Sequence, residues 1–267
     1  TDVVRLLIEK NANIEVVTKL RQTPLIKAAA EDCAEIVALL LKEGAVVNRS
    51  DPKNEYNALF KAVEYDRLKI AELLLQNGAD INYANKFAIT PLMLAAQHGN
   101  ADMVDLLINN GADVQAKSII GKTALLLALE FDHPEIANSL LIAGADVNQI
   151  DKYNNSPLTY AASLGYGDIV STLVENGADI NQKTGDEKSA ALLAQEHEHT
   201  DIVTFLLENG ADSTGIVFAD STTDEFVQLV DTTAYDEPPA PIGGLQAVQK
   251  RLRYPKDAKE QGLVGMV

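Results

Sequence analysis

The densest group of ionisable side chains in the sequence is Glu196-His197-Glu198-His199, and imidazoles beside carboxylates are the donor set of a zinc site. The spacing argues against one: residues two apart on a helix point to different faces, and no cysteine or third histidine lies near. Asp80, Asn82 and Asn85, and again Asp146, Asn148 and Asp151, echo the start of a calcium loop. The glycine and closing glutamate of such a loop are missing, so side-chain bonding within turns is the expected role. His98 and His133 have no nucleophile or acid placed beside them. Cys33, the only cysteine, allows no internal disulfide and reads as a small packed residue. Phosphate loops, dinucleotide fingerprints and paired carboxylates are absent from the sequence. No enzyme activity, metal or cofactor is expected, and binding is left as the function to look for.

Charge narrows the partners. The formal net charge is −17, with 17 basic and 31 acidic side chains in residues 1–213 and 5 and 8 in the remainder. An acidic surface repels phosphate, which disfavours nucleic acid and anionic lipid and favours basic or neutral protein partners. No run of about 18 apolar residues is present, and the first residues lack the pattern of a signal peptide.

The elements that would position a binding surface are repeats. Thr90–Val114 is the cleanest copy: Thr90 can cap a helix, Pro91 suits its first turn, and Leu92, Ala95 and Ala96 make an apolar face that Gly99 ends. A second helix follows with Met103, Val104, Leu107 and Ile108 in one stripe, closed by Gly111. The closing position recurs at Asn11, Gly44, Gly78, Gly111, Gly144, Gly177 and Gly210, in steps of 33 or 34 residues. Six copies open at Thr23, Asn57, Thr90, Thr123, Ser156 and Ser189, all residues that can act as N-caps. Val3–Lys10 reads as the second helix of a copy whose first is missing, so the chain is expected to be a fragment of a longer protein.

With the Thr-Pro-Leu opener and the Gly-Ala-Asp-Val-Asn close, residues 1–213 resemble an ankyrin-repeat array. The fold class expected is all-α: an ankyrin-repeat solenoid of six full repeats plus an amino-terminal half repeat, with a partly ordered α/β carboxy-terminal fragment. The resemblance implies antiparallel helix pairs, projecting hairpin-like loops and a concave binding face on a monomer. Where the family has a histidine in its opener, this chain has Ile26, Phe60, Met93, Leu126, Thr159 and Leu192, so apolar packing must replace the histidine bonds. Asp32, Asp66 and Asp132 are acceptable substitutes for glycine between the helices, whereas Glu198 is not a comfortable one. The sixth copy, with Gln195 to His199, reads as a polar terminal cap.

The rhythm stops after Asp212. Residues 214–237 read as a partly ordered connector: Thr223 or Asp224 could cap a short helix, while the β-branched content around the apolar cluster Phe226, Val227, Leu229 and Val230 would equally suit a strand. Residues 238–267 resemble the start of the carboxy-terminal domain of TonB-type energy transducers through Pro241, Gly243, Gly244, Leu252, Tyr254, Pro255, Ala258, Gly262 and Gly265. That resemblance implies a periplasmic or inner-membrane-anchored protein whose further strands contact an outer-membrane receptor. Any membrane contact would be made by a segment outside this sequence.

In ankyrin arrays partners meet the loop tips and the ends of the first helices. Those positions carry Tyr56, Tyr65, Phe87, Ile89, His98, Ile119, Ile120, Phe131, Tyr153 and Leu164, which either form an apolar strip rimmed by Lys53, Lys86, Lys122 and Lys152 or, for some of them, pack between adjacent tips and stabilise the stack.

Overall fold

The computed structural model describes residues 2–19, 21–52, 55–219 and 226–228. Lys53, most of the connector and the TonB-like stretch at 238–267 lie outside the described residues. A lone helix, α1 (Asp2–Glu9), precedes six helix pairs. These are α2 (Pro24–Ala30) with α3 (Ala34–Lys42), α4 (Ala58–Glu64) with α5 (Leu68–Gln76), and α6 (Pro91–His98) with α7 (Ala101–Asn109). The series continues with α8 (Ala124–Glu130) and α9 (Pro134–Ile142), α10 (Pro157–Leu164) and α11 (Gly167–Glu175), and α12 (Ala190–Glu196) and α13 (Thr200–Glu208). Two compact units divide the chain, Thr1–Tyr160 and Ala161–Val267.

Each first helix starts where its opener caps it. The side-chain oxygens of Thr23, Asn57, Thr90, Thr123, Ser156 and Ser189 accept from the backbone N–H three residues on, at 2.9–3.3 Å. Each second helix is followed by a left-handed residue. Asn11 adopts φ 59° where the other copies have glycine, since its short polar side chain tolerates that region better than most. Asp32, Asp66, Asp132 and also Glu198 take φ between 54° and 65° in the turn within the pair.

Between those punctuation marks, leucines and alanines make the core. In the first unit successive first helices pack on one another, as do successive second helices. Ile26, Phe60, Met93 and Leu126 are buried in the opener position, as the loss of the family histidine demands. Thr159 is buried too, but it works by hydrogen bonding: its Oγ1 donates to the Ser156 carbonyl at 2.9 Å and accepts from the Ser156 N–H. Leu192 is only half-buried.

Side-chain amides tie consecutive loops together. Asn48 Oδ1 accepts from the Asp80 N–H at 2.8 Å while its Nδ2 donates to the Gly78 carbonyl. Gln115 repeats the pair of bonds on Asp146 and Gly144, and Asn181 repeats it on Asp212 and Gly210. The oxygens that echoed a calcium loop are used here as well: Asp80 Oδ1 accepts from Asn82 N–H, and Asp146 Oδ1 from Asn148 N–H.

One expectation at the carboxy-terminal side needs correction. The sixth repeat is not a purely polar cap. His199 is half-buried, and Gln195 receives the Val217 N–H on its Oε1 at 3.0 Å while its Nε2 donates to the Val217 carbonyl. That pairing seats Ile216, which is fully buried. Beyond it, β1 (Val217–Ala219) pairs antiparallel with β2 (Phe226–Gln228). Of the two alternatives for this segment, Phe226–Gln228 takes the strand, which its aromatic and β-branched residues suit; Thr223 and Asp224 lie outside the described residues.

Candidate protein-binding surface

The loop tips of the third, fourth and fifth repeats are built by one device. Asn85 Oδ1 accepts from the N–H groups of Phe87 and Ile89 at 2.9 and 3.0 Å, and Asp151 Oδ1 does the same for Tyr153 and Asn155 at 2.8 and 3.0 Å. Ser118 Oγ accepts from Lys122 N–H at 3.0 Å. Each turn then passes through a left-handed residue: Ala88, Gly121 and Asn154 at φ 55°, 76° and 60°. Glycine suits position 121, where a Cβ would crowd the Ile150 carbonyl oxygen at 3.1 Å.

Adjacent tips are hydrogen-bonded to one another. The Ile119 N–H donates to the Phe87 carbonyl at 3.1 Å, and the Lys152 N–H to the Ile120 carbonyl at 3.0 Å. These bonds bring three of the expected strip residues onto neighbouring tips, where Phe87, Ile119 and Tyr153 are 48%, 66% and 56% exposed. Lys86 Nζ sits 5.0 Å above the Phe87 ring and Lys152 Nζ 4.7 Å above Tyr153. Each of those two tips thus offers a cation over an aromatic face.

A second row occupies the ends of the first helices. Tyr65, His98 and Phe131 are exposed at equivalent places in the second, third and fourth repeats. Leu164, exposed, holds the corresponding place at the end of α10. Ile89 and Ile120 are half-buried. Tyr56 departs from the expectation of a free surface ring. It stacks on the buried Phe60 with centroids 5.1 Å apart, Phe60 meets Tyr83 edge-on, and Lys61 Nζ lies over Tyr56 at 4.9 Å.

His133 and His199 have packing roles. His133 lies against Gly99, where any Cβ would stand 2.6 Å from the ring, and its Nε2 donates to the Gln97 carbonyl at 3.2 Å. His199 repeats both contacts on Gly165 and the Ser163 carbonyl. The sequence signal for this is a glycine followed 34 residues later by histidine.

Lys122 corrects the expected rim. Its side chain is 4% exposed, and its ammonium lies 2.9 Å from Asp151 Oδ2, whose side chain is 0% exposed. Glu130 at 3.1 Å and the Tyr160 hydroxyl at 2.5 Å complete the group, and the Tyr160 ring lies beneath the ammonium at 4.6 Å. Burial pulls the Lys122 pKa down, but its hydrogen bonds with Tyr160, Asp151 and Glu130 outweigh that and hold it above the usual 10.5. For Asp151 burial pushes upward. The Lys122 ammonium and the N–H groups of Asn155 and Tyr153 overcome it, and the carboxyl stays below 3.8. Burial raises the Tyr160 phenol above 10.0, with Lys122 opposing. The cluster was hidden in the sequence because its members are 8 to 38 residues apart. The signal for part of it was the eight-residue step from Lys122 to Glu130, which Lys188 and Glu196 repeat at 2.6 Å.

Among the described residues no group of three or more histidine, cysteine or carboxylate side chains is arranged to hold a metal ion, and no helix is long and apolar enough to cross a membrane. Repeating helix pairs held by shared loops, with variable side chains displayed at the tips, define a solenoid of the kind that serves as a scaffold for protein contacts. The family profile of ankyrin repeats in three copies matches residues 1–85, 82–151 and 140–216, and the chain belongs to the ankyrin-repeat family. No curated protein matches the chain. Ankyrin repeats are generally protein–protein interaction modules, so a protein is the class of partner the family suggests.

Proposed function

We propose that the chain is a non-enzymatic interaction scaffold that captures a protein partner on the tips of its third to fifth repeats and the first-helix ends of its second to fourth. The observation that carries this reading is the exposure of Phe87, Ile119 and Tyr153 on tips already joined by backbone bonds. Packing does not need these side chains in contact with water, and rigid exposed aromatics are what interface centres use. Tyr65, His98 and Phe131 extend the same surface along the helix ends, with Ile89 and Ile120 as its half-buried floor.

The test is photo-crosslinking capture from position 119, comparing the native chain with Phe87→Ser/Tyr153→Ser, Tyr65→Ser/Phe131→Ser and Ile142→Ser. Ile142 is 80% exposed and lies at the end of α9, away from the tips, so it controls for general stickiness. Loss of one defined cross-linked partner in the first two variants only, with thermal midpoints unchanged, supports the scaffold. Equal capture by all variants, or equal loss including Ile142→Ser, rejects it.

A second reading rests on the TonB-like residues Pro241, Gly243, Gly244, Tyr254 and Pro255: the array is the recognition module of a periplasmic energy transducer. It requires the full-length protein to restore proton-motive-force-driven uptake in a strain lacking its own transducer, and failure to do so removes it.

A further inference from the structure

The charge of the whole chain and the charge of the tips point to different partners. Across residues 85–89, 118–122 and 151–155, together with the flanking Lys117, the sequence contains lysines 86, 117, 122 and 152 and a single carboxylate, Asp151. Burial settles which of these a partner meets. Asp151 and Lys122 are inside and bonded to each other, whereas Lys86, Lys117 and Lys152 are exposed. The outward face of three successive tips is therefore cationic and apolar in a protein of net charge −17.

Resting on the scaffold reading above, we infer that the partner of these tips is a protein segment in which carboxylates alternate with apolar residues. The two lysine-over-ring pairs, Lys86 on Phe87 and Lys152 on Tyr153, each place a carboxylate receptor beside an apolar face. Ile119, two-thirds exposed, supplies an aliphatic surface on the tip between them. A segment crossing the tips meets cation and ring, then aliphatic surface, then cation and ring. An alternating acidic and apolar segment satisfies all three, and a basic one brings like charges together at both ends. Phosphate polymers offer the right charge without the apolar groups that the rings and Ile119 would contact.

The experiment uses the full chain and fluorescein-labelled peptides spanning three tips: glutamate alternating with leucine, lysine alternating with leucine, and glutamate alternating with serine. A single-stranded oligonucleotide is the fourth probe. Anisotropy titration is expected to give the glutamate–leucine peptide at least a tenfold advantage over each of the others. That advantage should shrink at high salt. Lys86→Glu/Lys152→Glu should abolish it without lowering the thermal midpoint, while Lys69→Glu, an exposed charge reversal on α5, leaves it in place. Tighter binding of the lysine–leucine peptide or the oligonucleotide, absence of binding to any peptide, or an advantage that survives the double reversal overturns the inference. The capture assay separates the two claims. If Phe87→Ser/Tyr153→Ser abolishes capture and Lys86→Glu/Lys152→Glu does not, the site stands and its charge preference falls; if neither changes capture, both fall.

Discussion

Replacing Asp151 by asparagine measures what the buried cation under the fourth and fifth tips contributes to stability. Asparagine keeps the turn, because Asn85 in the third repeat already accepts the two equivalent backbone N–H groups through its amide oxygen. What is lost is the charge facing Lys122 at 2.9 Å. Breaking a buried ion pair costs about 3–5 kcal/mol when the survivor has no other partner. Here Glu130 at 3.1 Å and Tyr160 still hold the ammonium, so the loss should be nearer that of one charged hydrogen bond, about 1.5–3 kcal/mol. Lys122→Met alone should cost less, since the Asp151 carboxylate keeps the donors from Tyr153 and Asn155. The double variant should lie within about 1 kcal/mol of the milder single one, giving a coupling of about 0.5 kcal/mol or more.

The assay is urea unfolding of the four proteins, with amide exchange at Tyr153 and Asn155 locating the effect in the fifth repeat. Its pH dependence has a fixed sign. Asp151 has its folded pKa depressed, so its contribution is whole above 3.8 and is lost as pH falls through the lower folded value. Lys122 and Tyr160 have theirs raised, so their contributions are whole below 10.5 and 10.0 and are lost as pH rises through the folded values. The difference between native chain and Asp151→Asn should be flat near neutrality and narrow on the acid side. A cost below about 0.5 kcal/mol with no coupling would refute the reasoning and place the Lys122 ammonium in water.

Ala88→Gly should stabilise by about 0.5–1 kcal/mol: an L-residue at φ 55° is strained by about 1–2 kcal/mol, and glycine gives part of that back in chain entropy. A lower thermal midpoint in that variant would show that the Ala88 methyl packs. Gly99→Ala should destabilise by about 1–3 kcal/mol, because it combines φ 76° with a Cβ placed 2.6 Å from the His133 ring. Adding His133→Ala should recover the steric part, and a double variant no better than the single one would assign the whole effect to the backbone.

The repeat was legible because it depends on short-range rules. Caps at Thr23 through Ser189 and left-handed closures at Asn11 through Gly210 each need only a few neighbouring residues, and the leucine stripe needs one helix. What resisted reading was set by contacts between repeats. Lys122 looked like the other tip lysines, yet Asp151 and Tyr160 of the following repeat draw it inward; nothing local to residues 119–125 distinguishes it from Lys86. Tyr56 looked like a tip aromatic, but within its own repeat it stacks on Phe60, which Tyr83 meets edge-on. Ile216 is buried by an amide on Gln195, a residue that on composition belonged to a solvated cap.

These misreadings share a direction that bears on function. A tip side chain is drawn into the stack when a neighbour in the adjacent repeat or its own offers it a buried partner, as Asp151 does for Lys122 and Phe60 for Tyr56. Phe87, Ile119 and Tyr153 remain outside while their own backbone groups bind neighbouring tips or their own turn. The main chain of the tips is therefore fixed without help from those three side chains, so the entropy lost on docking a partner is confined to their rotamers. The buried cluster strengthens the separation, since it removes one lysine and one carboxylate from the surface together and leaves the exposed lysines as the charge of the tips. Changes at Lys122 or Asp151 should accordingly be read in stability, and changes at Phe87, Ile119 or Tyr153 in capture.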